Sequence, residues 1–387
     1  MPKLKNFLIA VLVLFMAGSS IQYADAQETV PEFHARHVYV MEYVTGRCLY
    51  EKQGYERVPM ASTTKIMTAI IVLENGDLNS ITTVSAKAAS TDGSVMHLKK
   101  NEKISVNDLL FGLLIKSGND AAVALAEAVS GSVEEFCKLM NAKAKELGAN
   151  DTHFTSPHGL DDEEHYTTAR DLAVIAAYAM KNDTFRQIVS TKTASVNGHY
   201  LANTNDLLWS TEGVEGIKTG YTGNAGRCIV LSVHKNDLRL IGVLLGCETS
   251  DQRSADGKSI ANYFPGNYSV CNVLEAGAVI DTVKSIKSKT AYVPVIVKEP
   301  VTLCLSQKEL ADIHFRKELL PEYEKGVRDG ITAGTVMGTY GIYTGDQLLC
   351  ETELIAAETC VKKAFDDYLQ EFFTLWAKKT FSALYNF

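Results

Sequence analysis

The chain has 387 residues, 46% of them hydrophobic and 22% charged, with a formal net charge of −8. That length is too great for one small core and points to two or three domains, and the apolar share is ample to fill them. No long acidic or basic block and no basic patch stands out, which argues against a nucleic-acid partner.

Residues 1–26 read as a secretory signal. Lys3 and Lys5 precede the apolar run Phe7–Ala17, and a polar stretch then ends in Ala24-Asp25-Ala26. The other reading is an uncleaved membrane anchor, for which the run is short. The eight cysteines all follow this segment, widely spaced, with no C-x-x-C or Cys/His zinc pattern. They are expected to be mostly buried apolar residues, and neither a metal nor a cofactor is expected.

Next come two short alternating runs, His37–Tyr43 and Cys48–Glu51, separated by Thr45-Gly46-Arg47, a hairpin signature. Pro59 breaks the chain before Ala61-Ser62-Thr63-Thr64-Lys65, which predicts the start of a helix continued by the apolar run Ile66–Leu73. Residues three apart share a helix face, so the amine of Lys65 can reach the hydroxyl of Ser62. A serine needs a neighbour to take its proton, and a lysine can do so only if burial or a second cation lowers its pKa.

From about Val84 to Leu172 the pattern is helical, with segments at Val106–Ile115, Asp120–Val129 and Val133–Leu147 and Gly148 as a stop. Ser117-Gly118-Asn119 lies between the first two. β character returns from Asn205 to Leu245, as an antiparallel sheet that carries Lys218-Thr219-Gly220, and a helix from Gln252 to Phe264 packs back on it. This gives a main domain at 27–278. Residues 279–356 alternate as a small all-β module without clustered catalytic residues. Residues 357–387 form a tail whose Phe365, Leu369, Phe372, Trp376 and Leu384 fall near one helix face.

The three short motifs stand in order at domain-sized separations, nearly the set found in penicillin-binding proteins and class A β-lactamases, with Gly118 where that set has Asp. Together with the wording ASTTKIMTA, IKSGNDAAVALAE, FTSPHGLDDEEHYTTARDLA and GIKTGYTGNAGRC, the chain resembles the low-molecular-weight penicillin-binding proteins, the serine-type D-Ala-D-Ala carboxypeptidases of peptidase family S11. The resemblance runs from roughly Thr29 to the C-terminus. It implies an α/β (α+β) penicillin-binding/β-lactamase-like domain with a helical subdomain, then the all-β domain and an amphipathic C-terminal helix.

The resemblance also implies roles. Ser62 attacks a carbonyl, Lys65 takes its proton, and Ser117 relays a proton to the leaving amine. Asn119 holds the substrate amide, Lys218 supplies the second cation, and Thr219 binds the terminal carboxylate beside Gly220. The oxyanion hole falls to the backbone N–H groups of Ser62 and Tyr221. Arg253 matches a family arginine, or is a solvated arginine on a helix. His153, His158 and His165 have no metal spacing and are expected to be structural.

The implied substrate is a peptidoglycan stem peptide ending in D-Ala-D-Ala, with β-lactams as inhibitors. The competing readings are a β-lactamase and a non-catalytic wall-binding protein. A class A β-lactamase would carry a Glu-x-x-Leu-Asn pattern, and the only match in spacing, Glu146 to Asn150, lacks the Leu. The tail is expected to lie on the membrane surface, holding an exported enzyme at the outer face of the cytoplasmic membrane or in the wall; the alternative is a helix packed on the β module.

Overall fold

A computed structural model describes residues 29–384; the expected signal segment lies outside the described residues. Five strands, β1 (His37–Glu42), β2 (Cys48–Lys52), β3 (Val214–Thr222), β4 (Gly226–Lys235) and β5 (Leu238–Cys247), form an antiparallel sheet in the order β2-β1-β5-β4-β3. Tyr39 pairs with Val243 and Thr219 with Ile229, so the third motif lies on the edge strand.

The sheet is buried on both faces, which is why β4 and β5 read as almost unbroken apolar runs. Side chains alternate across it. Tyr39, Met41, Val230 and Val243 join the helical core, whereas Val38, Val40, Ile229 and Leu231 pack with Ile260 and Phe264 of a helix on the other side. That helix, α6, spans Ser250–Asn267, two residues earlier than the pattern predicts. Thr249 caps it and Gln252 returns the bond, so Gln252 is the third helical residue rather than the first.

The helical side contains α1 (Lys65–Asn75), α2 (Val106–Phe111), α3 (Asn119–Ser130), α4 (Val133–Glu146) and α5 (Ala169–Ala179), with α1 enclosed by α3, α4 and α5. Two predicted helices are altered where they meet the motifs. Ser62 does not open α1 but sits in a 3-10 turn, Ala61–Thr64. The segment after α2 becomes a π-helical turn, Gly112–Lys116, that stops at Ser117 in the left-handed region.

The C-terminal module is a five-stranded antiparallel sheet, ordered β7 (Val279–Lys284), β8 (Tyr292–Val297), β12 (Gln347–Ala356), β11 (Val336–Thr344), β10 (Ile313–Leu319). Beside it, β6 (Tyr268–Leu274) pairs with β9 (Val301–Ser306), so strand pairing joins the two sides of the 278/279 boundary expected from sequence. At the junction Arg47, in the β1–β2 turn, donates to the Cys304 carbonyl and to Glu309.

The tail forms α7, Phe365–Leu384. Phe365, Phe372, Phe373, Leu375 and Trp376 are all exposed, while Asp367 pairs with Lys289 at 3.0 Å and Glu371 with Lys363. Asp367 and Glu371 are thus tied by ion pairs, while Phe365, Phe372, Phe373 and Trp376 face outward. Among the described residues no helix is long and apolar enough to cross a membrane.

Candidate active site

The turn that carries Ser62 is shaped by hydroxyls. Thr63 Oγ1 donates to the Met60 carbonyl at 2.6 Å, beside the Thr63 N–H at 3.3 Å, and Thr64 Oγ1 donates to the carbonyl of the left-handed Ala61, at φ +50°, at 2.8 Å. Ser62 stays partly exposed, and α1 begins at Lys65, whose side chain is fully buried.

Three oxygens surround the Lys65 Nζ: Ser62 Oγ at 2.7 Å, Asn119 Oδ1 at 2.7 Å and the His158 carbonyl at 2.8 Å. Burial pushes this amine well below its ordinary pKa, the Lys218 charge acts in the same direction, and Asp120 opposes them. A neutral amine has two hydrogens and one lone pair. Asn119 Oδ1 and the His158 carbonyl can only accept, so they take the two hydrogens and the lone pair is left for the Ser62 hydroxyl proton.

Asn119 is held in turn. Its Nδ2 donates to the Asp92 carbonyl at 2.6 Å, while the buried Asp120 carboxylate accepts the N–H groups of Met96 and Leu98, both at 3.0 Å. Ser117, 5% exposed at φ +66°, ends the π-helical turn and so lets Asn119 open α3.

On β3, Lys218 is buried and donates to the Thr219 carbonyl at 2.9 Å. Burial, and next the charge of Arg253, lower its pKa to about 7. Thr219 Oγ1 lies 2.6 Å from Thr204 Oγ1. A Cβ on Gly220 would stand 3.0 Å from the Ser62 nitrogen, tighter than ordinary contact, so glycine eases the close approach of the strand to the nucleophile turn. The Tyr221 ring is exposed beneath the Arg227 guanidinium, 3.7 Å from its centroid.

Arg253 is not a solvated helix residue: it is 8% exposed. Its Nη2 donates to Asp206 at 2.6 Å, but its buried Nε has no partner among the described residues. A buried guanidinium N–H without an acceptor is costly, and a ligand carboxylate would satisfy it.

Residues 155–165 supply what motif reading missed. The Pro157 carbonyl accepts from Thr68, the His158 carbonyl from Lys65, and Asp161 accepts from Thr222 Oγ1 at 2.6 Å, linking this loop to the end of β3. The only sequence signal was the FTSPHGLDDEEHYTTARDLA wording itself, because a backbone acceptor leaves no residue-type signature. Among the described residues no group of three or more His, Cys, Asp or Glu could hold a metal ion. Glu146, the β-lactamase-like candidate, pairs with Lys143 at the exposed end of α4.

Gly159 adopts φ +86°, and a Cβ there would overlap the Ala61 carbonyl oxygen. Gly159→Ala is therefore expected to cost about 2–4 kcal/mol of stability, from backbone strain plus overpacking. A urea melt measures this; an unchanged midpoint would show that the contact is not tight.

A family model described as D-alanyl-D-alanine carboxypeptidase matches residues 24–249, and one for the penicillin-binding protein 5 C-terminal domain matches 268–362. The D-alanyl-D-alanine carboxypeptidase DacF of Bacillus subtilis is 33% identical, over 97% of this chain and 98% of its own length. DacD of Escherichia coli is 29% identical, over 96% and 99%. Penicillin-binding protein 5 of Haemophilus influenzae superposes with a TM-score of 0.75 at 30% identity, covering 86% of this chain and 99% of its own.

Proposed function

Because this chain belongs to the D-alanyl-D-alanine carboxypeptidase family of penicillin-binding proteins, we propose that its hydrolysis of the terminal D-Ala-D-Ala bond of peptidoglycan stem peptides runs through an acyl-Ser62 intermediate. The observation that carries this reading is the Lys65 amine, fixed by two pure acceptors with its lone pair toward Ser62.

Lys65 takes the proton as Ser62 Oγ bonds to the penultimate D-Ala carbonyl carbon. The tetrahedral oxyanion is met by the N–H groups of Ser62 and Tyr221. The C–N bond then breaks, and Ser117 passes the proton to the departing D-alanine amine. Water hydrolyses the ester and restores Ser62. Lys218, Thr219 and Arg253 hold the substrate carboxylate, and Asn119 its amide. A β-lactam enters by the same step, and because its amine stays tethered after ring opening, the adduct persists.

Release of D-alanine from diacetyl-Lys-D-Ala-D-Ala by the purified mature protein tests the reaction. No release at any pH between 6 and 9 would overturn it.

The working unit in this reading is an exported catalytic domain, spanning 27–278, raised on the β module and held at the outer membrane face by residues 357–387. The free aromatic side of α7 supports the last element, because Phe and Trp rings of this density suit the headgroup boundary. In liposome flotation, mature protein should rise with the vesicles and a version ending at Thr359 should stay below. If both remain below, α7 does not hold the enzyme at a membrane.

A further inference from the structure

We propose that His165 is a positioning residue for the oxyanion donor of Ser62, acting through Thr64 and the Ala61 carbonyl; this rests on the reading of Ser62 as the nucleophile. The contacts form a directed chain. The Thr155 N–H donates to His165 Nδ1 at 3.0 Å, and since a backbone N–H can only donate, Nδ1 carries no hydrogen. In the neutral ring the hydrogen is then on Nε2, which lies 2.8 Å from Thr64 Oγ1. With its lone pair engaged, Thr64 turns its own hydrogen to the Ala61 carbonyl at 2.8 Å. Each member is thereby left one orientation.

The far end of this chain matters because the Ala61 carbonyl and the Ser62 N–H belong to one peptide plane. Fixing the oxygen fixes the opposite direction of the N–H, the proposed oxyanion donor. The plane needs such an anchor, because Ala61 is left-handed, at φ +50°, and Gly159 leaves free the space beside the same oxygen that a Cβ would overlap. His165 is well suited to hold it, being 3% exposed, packed edge-on against Phe154 at 5.8 Å, and lowered to about pKa 4 chiefly by burial, so that the ring stays neutral. An N–H misaimed at the ground state barely affects binding but weakens the transition state, where the negative charge develops.

The test is steady-state hydrolysis of diacetyl-Lys-D-Ala-D-Ala, with penicillin labelling of each variant. Thr64→Val and His165→Leu should each lower kcat about tenfold to a hundredfold, a fraction of the loss of a whole oxyanion donor, with KM within about twofold. Their double variant should fall no further than the worse single, since both break one chain. His165→Gln, whose amide N–H can reach Thr64, should recover most of what His165→Leu loses. Should His165→Leu not fold, Thr64→Val against Thr64→Ser decides, because serine keeps the hydroxyl. Wild-type kcat in Thr64→Val, losses that multiply in the double variant, or a raised KM at constant kcat would each overturn the proposal. An unlabelled wild-type protein would instead overturn the reading of Ser62, so the two failures are distinguishable.

Discussion

Ser62→Ala is expected to abolish covalent labelling by a fluorescent penicillin and to lower D-alanine release by about 10⁴-fold or more, the scale of removing a nucleophile outright. The site offers no substitute. Thr63 and Thr64 have hydroxyls on the same turn, but both are buried and already donate to carbonyls. Among the other motif hydroxyls of the described residues, Thr219 Oγ1 is paired with Thr204 Oγ1, and the Lys65 amine, the base of the site, is committed to Ser62, Asn119 and His158 rather than to Ser117. Gel fluorescence and mass spectrometry of the adduct read the result directly. An adduct that survives on the alanine variant would remove the mechanism proposed for this protein.

The second large effect comes from the pair of buried lysines. Lys65→Arg should lower acylation by about 10²–10⁴-fold, because a guanidinium stays protonated and cannot take the Ser62 proton. Lys218→Gln tests the coupling between them. In the wild type, burial and then the Lys218 charge hold Lys65 well below its ordinary value. Removing that charge lets the Lys65 pKa rise, so the proton is held to higher pH and the acidic limb of the acylation profile moves upward. KM for the peptide should rise as well, since the carboxylate loses a partner. An acidic limb that stays where it was would show that the two amines do not sense each other.

Much of this site was legible because its parts are local. Ser62 with Lys65, Ser117 with Asn119, and Lys218 with Gly220 each fall within four residues, so their spacing survives in any reading of the chain. What was not legible depends on distant backbone. The Thr64–His165 contact joins residues 101 apart, and the third Lys65 partner is a main-chain carbonyl 93 residues away. The 3-10 turn at Ser62 was hidden for a related reason: Thr63 and Thr64 satisfy the turn through side chains, which a hydrophobic pattern does not record. In the β module, which was read only as alternating over 279–356, β10 departs from that pattern: it is an edge strand with His314 to Glu318 exposed on both faces, so it shows no alternation of apolar and polar residues. The tail was read from its helical stripe, and α7 forms with Phe365, Leu369, Phe372 and Trp376 of that stripe exposed.

Above about pH 7, where Lys218 has given up its proton, the two buried lysines make folding of this protein a proton-releasing reaction. Lys218 titrates at about 7 in the fold against 10.5 ordinarily, so between those values the unfolded chain keeps a proton that the folded one has given up. Stability gained in this way is complete above about pH 10.5 and is lost as pH falls toward about 7, the unfolded state being the one that binds more protons. Lys65, lowered in the same direction, adds to that slope. Urea midpoints measured across this range should therefore climb with pH in the wild type and climb less in Lys218→Gln. If the substrate carboxylate docks beside Lys218 as proposed, the exchange reverses, because an anion favours the ammonium, and at mildly alkaline pH binding should take back from the medium a proton given up on folding.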